Sequence, residues 1–259
     1  MQLLDQCGYT VRLKEMPKRI VSLVPSQTEL LFDLGLGDRV KGITKFCIHP
    51  QQWQNEKNII GGTKNLNIRQ ILDLEPDLII ANKEENRKTQ VEKLQEFCPV
   101  YISDVRNIAA ALEMITDIGR LTQKEREANK IALDIEVKFA NFKPQNQEEE
   151  RVAYLIWKEP LMVVGNDNFI HSLLEWAGWI NVFGDQARYP SITESELKAA
   201  KPDQIMLSTE PYNFSEKDIP YFKSLLPMAK VQLVDGERFS WYGSRMKQAP
   251  AYIHAIRNS

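Results

Sequence analysis

Short β-rich runs alternate with amphipathic stretches along this chain, and that rhythm narrows the fold more than any other feature. Arg19-Ile-Val-Ser-Leu-Val24, Asp38-Arg-Val-Lys-Gly-Ile43, Asp77-Leu-Ile-Ile-Ala81 and Pro99-Val-Tyr-Ile102 each adjoin a helical pattern. Parallel strands need crossover helices, so the alternation predicts an α/β fold with parallel-rich sheets. After about residue 150 the rhythm restarts with Arg151-Val-Ala-Tyr-Leu-Ile156, Leu161-Met-Val-Val164, Gln204-Ile-Met-Leu207 and Val231-Gln-Leu-Val234, which predicts a second α/β unit. Between the two, Gln123 to Lys143 holds no Gly or Pro and spaces Ala128, Ile131, Ile135, Phe139 and Phe142 three or four apart. An amphipathic helix of roughly 31 Å is expected there. It is read as a connector between lobes, the alternative being an ordinary crossover within one sheet. The expected division is a lobe over 1–121, a connecting helix over 122–143 and a lobe over 144–259.

The units look like distant copies. Leu74-Glu-Pro-Asp-Leu-Ile-Ile80 recurs as Ala200-Lys-Pro-Asp-Gln-Ile-Met206, and Glu29-Leu-Leu-Phe-Asp-Leu-Gly35 is echoed by Ser172-Leu-Leu-Glu-Trp-Ala-Gly178. With 259 residues, 43% of them hydrophobic, each unit can bury a core of its own. Lys and Arg number 33 against 35 Asp and Glu, so no basic field exists to grip nucleic acid. No run approaches the ~20 apolar residues of a membrane span, and no membrane insertion is expected. The start, Met-Gln-Leu-Leu-Asp-Gln-Cys-Gly, lacks the basic and apolar regions of a signal peptide. The chain is therefore expected to stay in the cytosol or to have lost a leader. Cys7, Cys47 and Cys98 are odd in number and widely spaced, which fits reduced thiols and leans toward the cytosol.

The phosphate-loop, zinc-protease, C-x-x-C and nucleophile-elbow motifs are missing. Gly35-Leu-Gly37 reads as a helix C-terminal turn, and His49, His171 and His254 lie far apart. Ser26-x-x-Glu29 reads as a capping box where the first strand hands over to a helix. The helix N-terminus there either receives a ligand oxygen at the carboxyl edge of the sheet or is a plain cap. Gly236-Glu-Arg-Phe-Ser-Trp-Tyr-Gly-Ser-Arg245 follows a strand and gathers three aromatics and two arginines. Such a loop suits a large planar or macrocyclic ligand, with Phe239 assigned to anchoring the last helix. Trp157, Tyr189 and Tyr212 extend the aromatic wall.

Arg19-Ile-Val-Ser-Leu-Val-Pro-Ser-Gln-Thr-Glu-Leu-Leu-Phe32, Gly61-Gly-Thr-Lys-Asn65 and Leu74-Glu-Pro-Asp-Leu-Ile-Ile-Ala81 resemble the N-terminal lobe of the periplasmic substrate-binding proteins for cobalamin, haem and iron-siderophores. Residues 157–183 and 196–207 resemble the C-terminal lobe. The resemblance covers about 8–257. It implies two Rossmann-like lobes joined by one long rigid helix, a ligand cleft between them, and delivery to the permease dimer of an ABC importer. It also implies a monomeric, non-enzymatic receptor with no intrinsic cofactor, whose ligand is cobalamin, haem or a ferric siderophore.

By that resemblance the ligand meets Ser26, Gln27, Phe46 and Lys64 on one wall and Trp157, Tyr189, Trp241, Tyr242 and Arg245 on the other. Where the family's cobalamin receptors carry tryptophans, this chain has Thr63 and Asn82. The family's docking acids, one per lobe, fall at Glu84 or Glu85 and at Glu216 or Asp218. A cytosolic chelate carrier on the same fold is the alternative. Direct binding of bare zinc or manganese needs about four converging ligands, and His49 with His171 are too few.

Overall fold

The computed structural model describes residues 1–142 and 149–258. By its contacts the chain divides into two compact units. The first comprises Met1–Val105, Ala109–Val137 and Tyr242–Lys247; the second comprises Arg106–Ile108, Lys138–Trp241 and Gln248–Ser259.

The first unit is built on five parallel strands: β1 (Ile20–Ser22), β2 (Val40–Ile43), β3 (Asn58–Ile59), β4 (Leu78–Asn82) and β5 (Val100–Ser103), in spatial order 3-2-1-4-5. Every residue of β1, β4 and β5 is buried, as expected of parallel strands covered on both faces. The helices α1 (Pro25–Asp33), α2 (Ile68–Asp73) and α3 (Lys88–Gln95) lie between successive strands in the chain. Val21, Leu23, Ile60, Ile71, Ile79 and Val91 pack into one core. An N-terminal hairpin, Gln2–Leu4 with Thr10–Arg12, reaches the open edge of β5: the Asp5 carboxylate accepts from Ile102 N at 3.1 Å, and the Gln6 side-chain Oε1 accepts from Asp104 N at 3.0 Å. Those bonds blunt an edge that would otherwise offer unpaired backbone groups.

The chain continues through α4 (Ile108–Thr122) and α5 (Glu125–Asn141). The stretch expected to be helical over 122–143 forms α5, which starts three residues later, at Glu125. Gln123 adopts a left-handed φ of 55°, which separates it from α4. Its stripe is as read: Ala128, Ile131, Ile135 and Phe139 are buried. Helix α5 belongs to the first unit through Val137 and to the second from Lys138; Lys143 lies outside the described residues.

In the second unit the central strand is β6 (Glu150–Trp157). It runs antiparallel to β7 (Leu161–Val163) and parallel to β8 (Trp179–Asn181) and β10 (Gln204–Ser208); β9 (Ser191–Ile192) pairs with β7, and β11 (Lys230–Val234) extends the sheet beside β10. Helices α6 (Phe169–Trp176), α7 (Glu194–Ala200), α8 (Ile219–Leu225), α9 (Gly236–Ser240) and α10 (Ala249–Arg257) complete it. Its core gathers Ala153, Leu155, Val163, Ile205, Leu207 and Phe222.

The two Pro-Asp segments do the same work in their units. Glu75 and Lys201 both turn at φ 46°, and each Asp carboxylate accepts a backbone N–H at the start of the neighbouring strand: Asp77 from Lys18 and Arg19, Asp203 from Arg151. The arginines reciprocate, Arg19 donating to Leu74 O and Arg151 to Ala200 O. Gly35 and Gly178, the other repeated pair, end α1 and α6 with φ of 71° and 75°.

Candidate functional site

In an open parallel sheet ordered 3-2-1-4-5, chain connections leave β1 and β4 toward opposite sides, and the loops past their carboxyl ends part to leave a crevice. In the first unit those loops are Leu23-Val24, entering α1, and residues 83–87, entering α3. The capping box expected at Ser26 and Glu29 does not form. Pro25 suits the first helical position, so Val24 becomes the N-cap and no side chain caps the helix. Ser26 therefore sits inside the first turn, buried. Gln27 is buried too, and its side-chain amide donates to Ser103 Oγ. Gln27 thus belongs to the packing beneath the edge and is not an exposed ligand contact.

The loop after β4 is tied by two asparagines. Asn82 Oδ1 accepts from Glu84 N at 2.8 Å and Glu85 N at 3.0 Å, while its amide nitrogen donates to Ser103 O and Oγ. Asn86 Oδ1 accepts from Asn82 N at 2.9 Å, and its amide donates to Thr63 O at 3.0 Å and Leu23 O at 3.3 Å. These bonds join the loops after β1 and β4 with the Gly61–Asn65 turn. An Asn at each end of Lys-Glu-Glu was the available sequence signal, since such side chains fold back on nearby backbone.

On this edge Phe46 is half exposed, and its ring lies against Gly62, where an added Cβ would come within 3.0 Å of Phe46 Cε2. Lys64 is exposed and donates to Glu84 O. Glu84 and Glu85 are half-buried rather than the protruding charges expected for docking. Burial raises the Glu85 carboxyl, partly countered by the Lys64 ammonium. Cys47 is buried between Thr28 and Thr44, whose hydroxyls lie 3.1 and 3.2 Å from its sulfur, and burial pushes its thiol up. Such a thiol is a packed structural group.

Two residues assigned to the second wall belong to the first unit. The segment Tyr242–Lys247 packs there, Tyr242 is buried, and Gly243 comes close to Ser26 O at φ 118°. Arg245 makes a bidentate pair with Glu29, at 2.8 Å from Nε and 2.7 Å from Nη2. Its guanidinium is committed to α1, a partnership across 216 positions that no local pattern could reveal.

In the second unit the corresponding loops follow β6 and β10. Trp157 ends β6 and is 38% exposed, and Tyr212, whose N–H donates to Ile156 O, meets it edge to face at 5.5 Å. Tyr212 touches Phe214 at 4.7 Å, and Phe214 touches Phe222 at 5.9 Å, so rings run from the surface into the core. Trp241 is only 8% exposed, and Phe239 is fully buried against Tyr154, the anchor expected of it. Tyr189 is half-buried. Glu216 is exposed, but Asp218 is buried and takes Lys158 Nζ at 2.7 Å and Ser215 N at 2.9 Å. Burial opposes its ionised form, and those bonds outweigh burial, holding its pKa below the ordinary value. Asp218 is therefore not a free docking charge. Unanticipated was Asp167, which accepts from Arg106 at 2.7 Å through its carboxylate and from Arg188 at 2.9 Å through its carbonyl.

Among the described residues no group of three His, Cys, Asp or Glu could hold a metal, and no helix is long and apolar enough to cross a membrane.

A family model described as periplasmic binding protein matches residues 20–224. The vitamin B12-binding protein of Vibrio campbellii is 24% identical over 195 residues, 74% of this chain and 70% of that protein. An uncharacterized ABC transporter substrate-binding lipoprotein of Bacillus subtilis is 24% identical over 213 residues, 78% of this chain and 67% of that one. The crystal structure of the periplasmic vitamin B12-binding protein of Vibrio cholerae matches with a TM-score of 0.80 at 20% identity, covering 94% of this chain and 99% of that chain. At that identity the likeness speaks to the two-lobe α/β fold.

Proposed function

Because the chain belongs to the periplasmic binding protein family, whose members are solute receptors rather than catalysts, we propose that it is the substrate-binding receptor of an ABC importer. Its solute is a metal chelate: cobalamin, haem or a ferric siderophore. The observation that carries this reading is the extent of the family match, which begins at β1 and runs into α8, taking in the carboxyl-edge loops of both units. Relatives named for vitamin B12 and neighbours named for vitamin B12 and haem support the chelate class.

Binding requires no proton transfer. A broad apolar chelate is held by aromatic faces, and a few polar groups set its orientation. Phe46 on the first unit, and Trp157 with Tyr212 on the second, supply faces that remain open. Lys64 and Tyr189 supply polar groups, and Ser26, buried in the first turn of α1, is a support. Trp241, Tyr242 and Arg245 serve the site as supports: the first two are buried, and Arg245 holds α1. For docking to a permease, Glu216 is the acid left exposed at its unit's surface, whereas Glu84 is half-buried.

The test is a titration of the purified protein with cyanocobalamin, haemin and a ferric hydroxamate, followed by tryptophan fluorescence and calorimetry. Saturable binding of one of them at micromolar concentration or tighter is expected, and absence of binding to all three would remove the receptor reading. For docking, reversing Glu216 should sharply reduce uptake in cells while solution affinity stays unchanged; uptake that survives the reversal refutes that role.

A further inference from the structure

Resting on the receptor reading, we infer that Glu85 is the specificity-determining residue of the first unit. Its carboxylate accepts hydrogen bonds from N–H groups on the solute, favouring a chelate fringed with carboxamides over one fringed with carboxylates. Three observations converge on it. Glu85 stands in the loop after β4, on one side of the point where the strand order reverses, the place where open α/β sheets receive ligands. Its backbone is fixed, because its N–H is held by Asn82 and the loop is tied through Asn86 to Leu23 and Thr63. Its carboxylate, by contrast, has no hydrogen bond or ion pair among the described residues. A half-buried carboxylate on a rigid mount is an acceptor open to a donor carried by the solute.

The charges around it are Lys64, which attracts it, and Glu84, which repels it, while Cys47 on the loop after β2 feels its field. Two carboxylates against one ammonium make this wall acceptor-rich. A carboxylate-bearing solute adds like charge to it, whereas N–H donors replace the missing partners. Burial raises the Glu85 carboxyl, and N–H donors on a solute would favour its ionised form.

A matched pair of probes isolates the periphery from ring and metal: dicyanocobinamide, fringed with carboxamides, and dicyanocobyrinic acid, the same corrin with carboxylates. The wild type should bind the amide corrin at least about tenfold tighter, and Glu85→Gln should shrink that ratio about tenfold, the scale of one hydrogen bond to a charged group. Equal affinities of the wild type for the two corrins, or a ratio unchanged by Glu85→Gln, overturn the inference. If Glu85→Gln does not fold, Glu85→Asp, which withdraws the carboxylate by one methylene, should also shrink the ratio, and an unchanged ratio has the same force. Should the wild type bind haemin and neither corrin, this inference falls and the receptor reading stands; should it bind no chelate, the receptor reading falls and takes this one with it.

Discussion

In the first unit the loops past the carboxyl ends of the central strands are tied by side-chain amides and a bidentate ion pair, whereas in the second a run of aromatic rings stands beside polar ties such as the Lys158–Asp218 ion pair. Asn82, Asn86 and the Glu29–Arg245 pair make the ties of the first; Trp157, Tyr212 and Phe214 form the run in the second. The strand-opening devices beneath are the same in both units, down to the φ of 46° before each Pro-Asp. A shared framework can therefore carry edges that differ in how much of their support comes from rings. A buried hydrogen bond fixes direction and is costly when broken, while ring packing is tolerant of polar change. For a receptor this division places aimed polar groups on one unit and a broad apolar face on the other.

If that contrast is real, the largest loss should come from the ion pair. The side chains of Arg245 and Glu29 are only 11% and 17% exposed, so Arg245→Met strands a carboxylate in a largely buried position. A cost of about 3–5 kcal/mol is expected in urea denaturation. Adding Glu29→Gln should recover part of it, because no charge is then left alone. A loss below about 1 kcal/mol in the single variant would mean that the pair is an ordinary surface bridge.

Asn86→Ala comes next. It removes an acceptor from Asn82 N and donors from Leu23 O and Thr63 O, in a residue that is 4% exposed, so about 2–3 kcal/mol should be lost. Ligand affinity should fall with it, since the loop bearing Glu85 loses its ties. Full affinity with reduced stability would separate the loop's rigidity from recognition.

Glu85 sharpens the comparison through pH. Its folded-state pKa is raised above 4.5 by burial, so the group favours the fold when protonated, and that contribution is lost as pH rises through the raised value. Glu85→Gln mimics the protonated form. The two proteins should show similar urea midpoints near pH 4.5, and the variant should pull ahead as pH rises. Parallel curves would show that the carboxyl ionises freely in the folded protein.

Much of the framework was legible because it rests on local patterns. The β-rich runs, the stripe of Ala128, Ile131, Ile135 and Phe139, and the repeated Pro-Asp segments are each set by neighbouring residues. The edges were less legible. Pro25 displaced the helix start and dissolved the capping box, a contest between two good N-terminal signals that the proline's fixed φ won. Arg245 looked like a ligand contact because its partner lies 216 positions away. Trp241 and Tyr242 read as open faces because aromatic density on a loop does not distinguish recognition from anchoring; both are buried. Asp218 resembled a docking acid until Lys158, 60 positions earlier, was seen to neutralise it.

The smallest stability effects belong to the second unit, and they test what its exposed rings contribute beside its polar ties. Trp157 is 38% exposed and its main ring neighbour is Tyr212, so Trp157→Ala should cost only about 1 kcal/mol of stability. Its effect on ligand affinity should be the larger one, several-fold or more, because the exposed face is the part a flat solute would cover. Tyr212→Phe should change stability by less than about 0.5 kcal/mol. The Tyr212 hydroxyl has no hydrogen-bond partner among the described residues, and its contributions run through ring contacts to Trp157 and Phe214 that phenylalanine keeps. Tyr212→Phe removes a hydroxyl without a partner among the described residues, whereas Asn86→Ala removes three hydrogen bonds, so the gap between their costs measures how differently the two residues hold their edges. A loss at Tyr212→Phe as large as that at Asn86→Ala would show that Tyr212 acts through its hydroxyl and not its ring, and that contrast would be gone.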